Sequence, residues 1–301
     1  MPGERIAVIG GGLMGAGIAQ TFAAAGHSVI VHEPVAAVRE TVLSRIADGL
    51  RALGADAGGA RHVSVVDDLA GAVRQADYVT EAVPERLHLK RQVFSELVTH
   101  APAHAMLASN TSVIPIGQIV AGLATAERIV GTHWWNPAPL IPLVEVVQAK
   151  ASDDTVARCM ALLRSIGKVP AHVRKDVPGF VANRLQHALW REAIAMVADG
   201  ICDAQTVDDC VKNSFGMRLA VLGPLENADL VGLDLTLDIH RTIIPALDRH
   251  DGPHEFLKAQ VDAGRLGFKS GTGFRSWTEA QMSALREQLT QHLVAARTAR
   301  Q

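Results

Sequence analysis

A chain of 301 residues, 48% of them hydrophobic, holds enough apolar material for a large core and is longer than one average domain, so two domains are expected. A formal net charge of −2 leaves no basic footprint for a phosphate backbone, which argues against nucleic acid as a partner. No apolar run reaches the roughly 18 residues needed to span a bilayer, and the opening Met1–Arg5 lacks the features of a secretion signal, so the chain reads as cytoplasmic with no membrane partner.

The predicted elements begin with a strand over Arg5–Ile9, a helix over Leu13–Ala25, a strand over Ser28–Glu33 and a helix over Val35–Leu53. A Gly- and Ala-rich loop from Gly54 to Ala60 precedes strands at Val63–Val66 and Tyr78–Ala82, and a helix follows over Glu85–His100. Strands at Met106–Ser109, Ile129–His133 and Leu143–Gln148, a helix over Thr155–Ile166 and a strand over Val169–Arg174 complete this half. Val/Ile-rich runs alternating with helix-length segments predict an α/β, doubly wound parallel sheet covered on both faces. Lys175-Asp176-Val177-Pro178-Gly179 marks a break. Beyond it Leu185, Leu189, Ala193 and Val197 recur at helical spacing, so residues 1–176 are expected to form the sheet domain and 177–301 an all-α C-terminal domain. Cys159, Cys202 and Cys210 lie in helix-like segments without paired spacing and read as buried free thiols; no metal site is expected.

Ile6-Ala7-Val8-Ile9 runs into Gly10-Gly11-Gly12-Leu13-Met14-Gly15, a G-x-G-x-x-G between strand and helix. Gly10 suits the tight turn, Gly12 lets the backbone approach a pyrophosphate, and Gly15 allows close helix–sheet packing. The helix start at Leu13 and Met14 offers N–H groups and a positive dipole end to phosphates. Glu33 ends the second strand about 20 residues on, where an acid accepts from a ribose 2′-OH and repels a 2′-phosphate. The reading is a Rossmann-type domain for NAD; a Gly-rich turn of another α/β protein, or an FAD site, is the alternative.

Arg128-Ile129-Val130-Gly131-Thr132-His133-Trp134-Trp135-Asn136-Pro137 places a His and an Asn at the C-terminal edge of a strand, where open α/β sheets bind ligands. Glu145 is a carboxylate in the apolar run Leu143-Val144-Glu145-Val146-Val147 and needs a partner if buried; His133 is the nearest candidate by topology. A carboxylate-held imidazole is fixed in one tautomer and suits removal of a hydroxyl proton. A His–Glu pair that only stabilises the sheet stays open at this point.

Several stretches together resemble the L-3-hydroxyacyl-CoA dehydrogenase family. They are Ile9–Gln20, Glu81-Ala82-Val83-Pro84-Glu85, Ser109-Asn110-Thr111-Ser112, His133-Trp134-Trp135-Asn136-Pro137, Gly179-Phe180-Val181-Ala182-Asn183-Arg184 and Gly267-Phe268-Lys269-Ser270-Gly271-Thr272-Gly273-Phe274, in the family's order. The resemblance implies that His133 is the catalytic base and Glu145 its orienting partner. It further implies that Ser112 and Asn183 hydrogen-bond the reacting oxygen, that Asn136 supports the His, and that Glu85, Lys90, Ser112 and Lys269 touch the cofactor. It implies a homodimer formed through the helical domain, a catalytic cleft between the domains, a role in fatty acid metabolism, and NAD-dependent oxidation of a 3-hydroxyacyl-CoA to the 3-keto product.

One departure bears on the substrate. The fatty-acyl enzymes carry a longer, Lys-rich helical hairpin that helps bind CoA, whereas Glu33 to Val63 leaves room here for one long helix and a loop. Pro84–Lys90 and Asn183–Gln186 are more similar to the branch acting on free carnitine, L-gulonate or pyridine-ring alcohols, while the Gly267–Phe274 tail is similar to the acyl-CoA type. A dehydrogenase of a free hydroxy substrate is therefore the alternative, and a catalytically silent NAD-binding protein a third reading that the intact His133, Glu145, Ser112 and Asn183 set disfavours.

Overall fold

Residues 3–54 and 56–300 are described by a computed structural model of the protein. Met1, Pro2, Ala55 and Gln301, which fall in the opening run, the Gly/Ala loop and the C-terminal limit of the sequence reading, lie outside the described residues.

Eight strands form one sheet: β1 (Arg5–Ile9), β2 (Ser28–His32), β3 (Val63–Val66), β4 (Tyr78–Glu81), β5 (Met106–Ser109), β6 (Ile129–Trp134), β7 (Leu143–Val147) and β8 (Val169–Val173). Their order is β3-β2-β1-β4-β5-β6-β7-β8, the arrangement that opens a crevice between β1 and β4 where the winding reverses. The first six strands are parallel, as expected. The parallel expectation fails at β7, which runs antiparallel to β6, with β8 parallel to β7. A parallel return needs a crossover of about a dozen residues or more, and residues 135–142 are too few to supply one.

One face of the sheet is covered by α1 (Leu13–Ala24), α2 (Ala36–Ala52) and a helix over Asp153–Ser165, with Phe22, Ile46 and Leu163 in its core. In α2, Val42, Ile46 and Leu50 are buried at four-residue spacing, the stripe of a helix lying on a sheet. Each such side chain contributes about 1.5–3 kcal/mol by leaving water. The other face is covered by α3 (Leu69–Val73), α4 (Leu87–His100) and α5 (Ile116–Ile119), with Val73, Phe94, Ile119 and Phe180 packed beneath; the Asp153–Ser165 helix is α6. Neither α3 nor α5 was expected, because four or five residues carry no helical repeat. Both depend on caps: Asp68 accepts from Gly71 N, and the remote Asp176 accepts from the N–H groups of Ile116 and Gly117. A 3-10 turn over Ala57–His62 begins within the Gly/Ala loop and runs past it to β3.

The chain divides into two compact units, one holding the residues up to Arg184 and from Thr290 onward, the other Leu185–Leu289. Helices α7 (Ala182–Ala198), α8 (Ala204–Lys212), α9 (Pro224–Val231), α10 (Leu233–Ile243), α11 (Glu255–Asp262) and α12 (Glu279–Thr298) follow the sheet. No residue of α8 to α11 is buried. The thiol expectation holds only for Cys159: Cys202 is half-buried in a bend and Cys210 is exposed. Among the described residues, no helix is long and apolar enough to cross a membrane.

Candidate active site

At the crevice, the three motif glycines answer to different demands. Gly10 has φ +105°, and a Cβ there would lie 2.8 Å from the Ala82 carbonyl oxygen; a Cβ on Gly15 would lie 1.8 Å from the Gly10 oxygen. Both are required by the chain's own packing. At Gly12, by contrast, an added Cβ meets nothing within 4 Å, so this glycine keeps space for something other than protein. Gly12 is also the N-cap of α1, without a side-chain cap or an acid in the first turn, which leaves the N–H groups at Leu13 and Met14 and the dipole end to an anion. Leu13 is exposed and Met14 half-buried.

Glu33 is buried beside this turn. One carboxylate oxygen accepts from Gly11 N at 2.8 Å and the other from Val35 N at 2.9 Å. It therefore braces the glycine turn, and each oxygen still has a lone pair for a ribose hydroxyl. An open approach at Gly12, an uncapped helix end and an acid closing β2 fit a dinucleotide, and NAD when bound supplies the hydride acceptor.

The antiparallel register of β6 and β7 sets His133 directly opposite Glu145, and opposite residues in such a pair share a face. His133 Nδ1 lies 2.8 Å from Glu145 Oε2, with both side chains buried. The other oxygen of Glu145 accepts from the N–H groups of Val181 at 2.9 Å and Ala182 at 3.0 Å, where α7 begins. Burial pushes this carboxyl upward, but hydrogen bonds from His133, Ala182 and Val181 together outweigh it and hold it below the ordinary carboxylate range. An ionised Glu145 retains the proton on Nδ1 and leaves the Nε2 lone pair as acceptor. The rings of Trp135 and Phe180 lie 5.3 and 5.6 Å from that of His133. Phe180 is buried with φ +50°, a conformation rare for an aromatic residue; it follows Gly179 at φ +74°, and the next two N–H groups are those that meet Glu145.

Ser112 follows β5, which neighbours β6. Its carbonyl oxygen accepts from Asn183 Nδ2 at 3.0 Å, so these two expected site residues are brought together. Asn136 is exposed in the turn after β6, before a cis peptide to Pro137. Glu85 binds the Ser112 N–H at 3.0 Å. Lys90, expected at the cofactor, is wholly buried, with Nζ 2.7 Å from Glu81 and 3.1 Å from Glu85. Lys269 is exposed in the second unit, on a turn with isolated bridges from Gly267 to Thr272 and from Thr272 to Ser276. Sequence reasoning did not single out Glu81, Thr111 or Asn110, whose Oδ1 accepts from Trp134 N at 2.9 Å. The two charged or polar stretches around them were visible, but their pairing was not.

Within the second unit, Asp248, His250 and His254 place possible ligand atoms within 4.8 Å of one another. There His250 Nδ1 already meets Asp248, Arg191 lies 3.4 Å from the same carboxylate, and His254 Nδ1 accepts from Phe256 N. Loop ordering accounts for the group.

Residues 5–177 match the family model described as 3-hydroxyacyl-CoA dehydrogenase, NAD binding domain, and residues 179–277 that of the same enzyme's C-terminal domain. The chain is 37% identical over 300 residues to the 5-formyl-3-hydroxy-2-methylpyridine 4-carboxylate 5-dehydrogenase of Mesorhizobium japonicum, covering 98% of this chain and 97% of that protein. It is 35% identical to the L-carnitine dehydrogenase of Oceanobacillus iheyensis over 76% of each chain. Among solved structures, a 5-formyl-3-hydroxy-2-methylpyridine 4-carboxylic acid 5-dehydrogenase, described as an NAD+-dependent dismutase, matches with TM-score 0.91 at 36% identity over 98% of this chain and 97% of that one. The (S)-3-hydroxybutyryl-CoA dehydrogenase of Ralstonia eutropha matches with TM-score 0.75 at 29% identity, over 92% of this chain and 99% of that one.

Proposed function

Because this chain belongs to the 3-hydroxyacyl-CoA dehydrogenase family, we propose that it is an NAD-dependent oxidoreductase acting on the CH–OH group of a small, free, carboxylated compound, with His133 as base. The substrate class rests on one observation above all: the segment between β2 and β3 holds a single helix and a 3-10 turn, and two of the three arginines of that helix are held by backbone carbonyls. Arg39 is taken by the Glu33 and Pro34 carbonyls and by Asp67, and Arg45 by the Gly11 carbonyl, whereas Arg51 forms an exposed pair with Asp48 and Arg61 of the 3-10 turn is exposed. Phosphates of a CoA carrier need cationic partners, and this segment has no lysine and offers only Arg51 and Arg61 at its surface. The names of the pyridine carboxylate and carnitine relatives, and the near-complete backbone likeness to the former, support the same reading.

In the reaction, Glu145 holds the imidazole so that Nε2 takes the hydroxyl proton while hydride leaves the carbon. Its carboxylate then faces the imidazolium it has helped to form. Trp135 and Phe180 pack against the ring and limit its movement. Ser112 and Asn183, tied to one another, meet the oxygen on which negative charge develops.

The acyl-CoA reading is favoured by the match of residues 179–277 to the C-terminal domain of 3-hydroxyacyl-CoA dehydrogenases. NADH formation with a pyridine alcohol carboxylate, L-carnitine and (S)-3-hydroxybutyryl-CoA separates the two. One free acid should exceed the thioester in kcat/KM by about tenfold or more, a difference of about 1.4 kcal/mol in transition-state binding; a thioester preference refutes the proposal, and no turnover with either class points to silent NAD binding.

We also propose a homodimer through the second unit. In α10, Leu233 and Leu237 lie on one face and Leu235 and Ile239 on another, all exposed, so two apolar faces await cover. Sedimentation of Leu233→Glu/Leu237→Glu against the parent protein should show dimer giving way to monomer, and a monomeric parent refutes the assignment.

A further inference from the structure

We propose that Glu81 and Lys90 are positioning residues, which set the Ser112 and Asn183 groups of the site through an unbroken line of hydrogen bonds. The proposal rests on the dehydrogenase reading above. Glu81 ends β4, the strand beside β1 at the crevice, and its side chain is 0% exposed. One of its oxygens accepts from Ser109 Oγ at 2.6 Å; the other accepts from Val83 N at 2.8 Å and Lys90 Nζ at 2.7 Å.

Lys90, also 0% exposed, comes from the first turn of α4 and directs its ammonium to Glu81, to Glu85 at 3.1 Å and to the Val83 carbonyl at 3.3 Å. All three of its protons have an acceptor. Glu85 passes the constraint on. Its second oxygen gathers the Thr111 hydroxyl, Ser112 N at 3.0 Å and Val113 N at 3.2 Å. Two consecutive N–H groups on one oxygen fix the peptide planes on either side of Ser112, whose carbonyl then holds the Asn183 amide.

Burying the Glu81 acid and the Lys90 base completely, with the partly exposed Glu85 against them, is unfavourable compared with packing apolar side chains in the same volume, so the arrangement is a poor device for stability alone. What it provides is orientation. The ammonium joins the end of β4 to Glu85, which holds the loop after β5, and the line ends on Ser112 and Asn183. Lys90 thus acts from behind Glu85 and does not itself need to reach cofactor or substrate.

The test compares wild type with Lys90→Met, Glu81→Gln/Lys90→Met and Glu85→Gln. Lys90→Met strands two carboxylates against each other and is prone to misfold; the double variant removes both charges of the inner pair and keeps the test decisive. Backbone amide exchange is followed in the substrate-free protein, together with kcat and the NAD dissociation constant. The double variant should exchange Ser112 and Val113 about tenfold faster or more, the effect of losing a charge-assisted hydrogen bond, while amides of β1 and β4 keep their protection. Its kcat should fall about tenfold or more with NAD binding within about threefold of wild type. Glu85→Gln should loosen the same two amides. Unchanged exchange at Ser112 and Val113, or an equal loss of protection across the whole sheet, overturns the proposal. Faster exchange with unaltered kcat also overturns it while leaving the dehydrogenase reading intact; a wild type without turnover would sink that reading and leave the exchange result to judge the tether.

Discussion

Glu145→Gln changes one atom type in a carboxylate that serves two masters. Glutamine has one acceptor oxygen where the site needs two, since His133 lies on one side and the N–H groups of Val181 and Ala182 on the other. If the amide oxygen turns to His133, its NH2 confronts two backbone donors. If the oxygen turns to the backbone, the NH2 donates to Nδ1, the imidazole proton moves to Nε2, and the base can no longer accept. The first outcome costs about 1–3 kcal/mol of stability for buried donors left unsatisfied, whereas the second keeps these groups paired at the expense of the tautomer. The second also removes the general-base contribution, so kcat should fall about a hundredfold to ten-thousandfold. NAD affinity should stay within about threefold, because the glycine turn and Glu33 are untouched. Turnover by NADH absorbance, NAD titration by protein fluorescence, and the His133 tautomer by nitrogen-15 NMR measure the three quantities. A near-normal kcat with the Nδ1-protonated tautomer preserved, or a loss of NAD affinity as large as the loss of kcat, would refute the reasoning. Because the carboxyl's pKa is depressed, its stabilisation is fully present above the ordinary value of 4.5 and is lost as pH falls below it, through the folded-state value. Urea midpoints of the Gln variant should lack that part of the acid dependence.

Other perturbations follow from the same geometry. Gly12→Ala should fold normally and lose NAD affinity, whereas Gly15→Ala, which drives a Cβ into the Gly10 carbonyl, should lose folded protein; thermal melts and NAD titration separate them. Glu33→Ser should reduce the preference for NAD over NADP by about tenfold or more as the anion leaves the ribose position, read from kcat/KM with each cofactor, and should lower stability by freeing Gly11 N. Lys168 is pulled down to about 8 by burial, with Arg297 adding to the effect, although its ammonium donates to the Ala138 and Ile141 carbonyls. Between that value and 10.5 the unfolded chain holds the extra proton, so this group makes stability rise with pH there, by up to about 3 kcal/mol. Denaturant midpoints across the window should show that rise in wild type and its absence in Lys168→Met.

Much of this molecule was legible as text because its signals are local. Strand and helix limits follow from runs and periods within a few residues, and the glycine turn, the acid closing β2 and the break at Pro178-Gly179 are each short-range chemistry. Even the reversal of β7 was present in the short stretch after Trp134, though the alternation of strands and helices suggested a parallel course. Short helices escaped because α3 and α5 carry no repeat, and α5 depends on a cap from Asp176, far along the chain.

Composition and motif determined that a nucleotide-binding sheet would precede a helical segment, and which His and which acids were candidates. Only the folded chain decided that His133 stands opposite Glu145, that a Glu145 oxygen also receives the start of α7, and that Lys90 lies behind Glu85, out of solvent. The reason is that a residue's type and neighbours are written along the backbone, whereas strand register and the destination of a buried hydrogen bond depend on segments tens of residues apart, whose meeting is settled by the packing of the whole sheet.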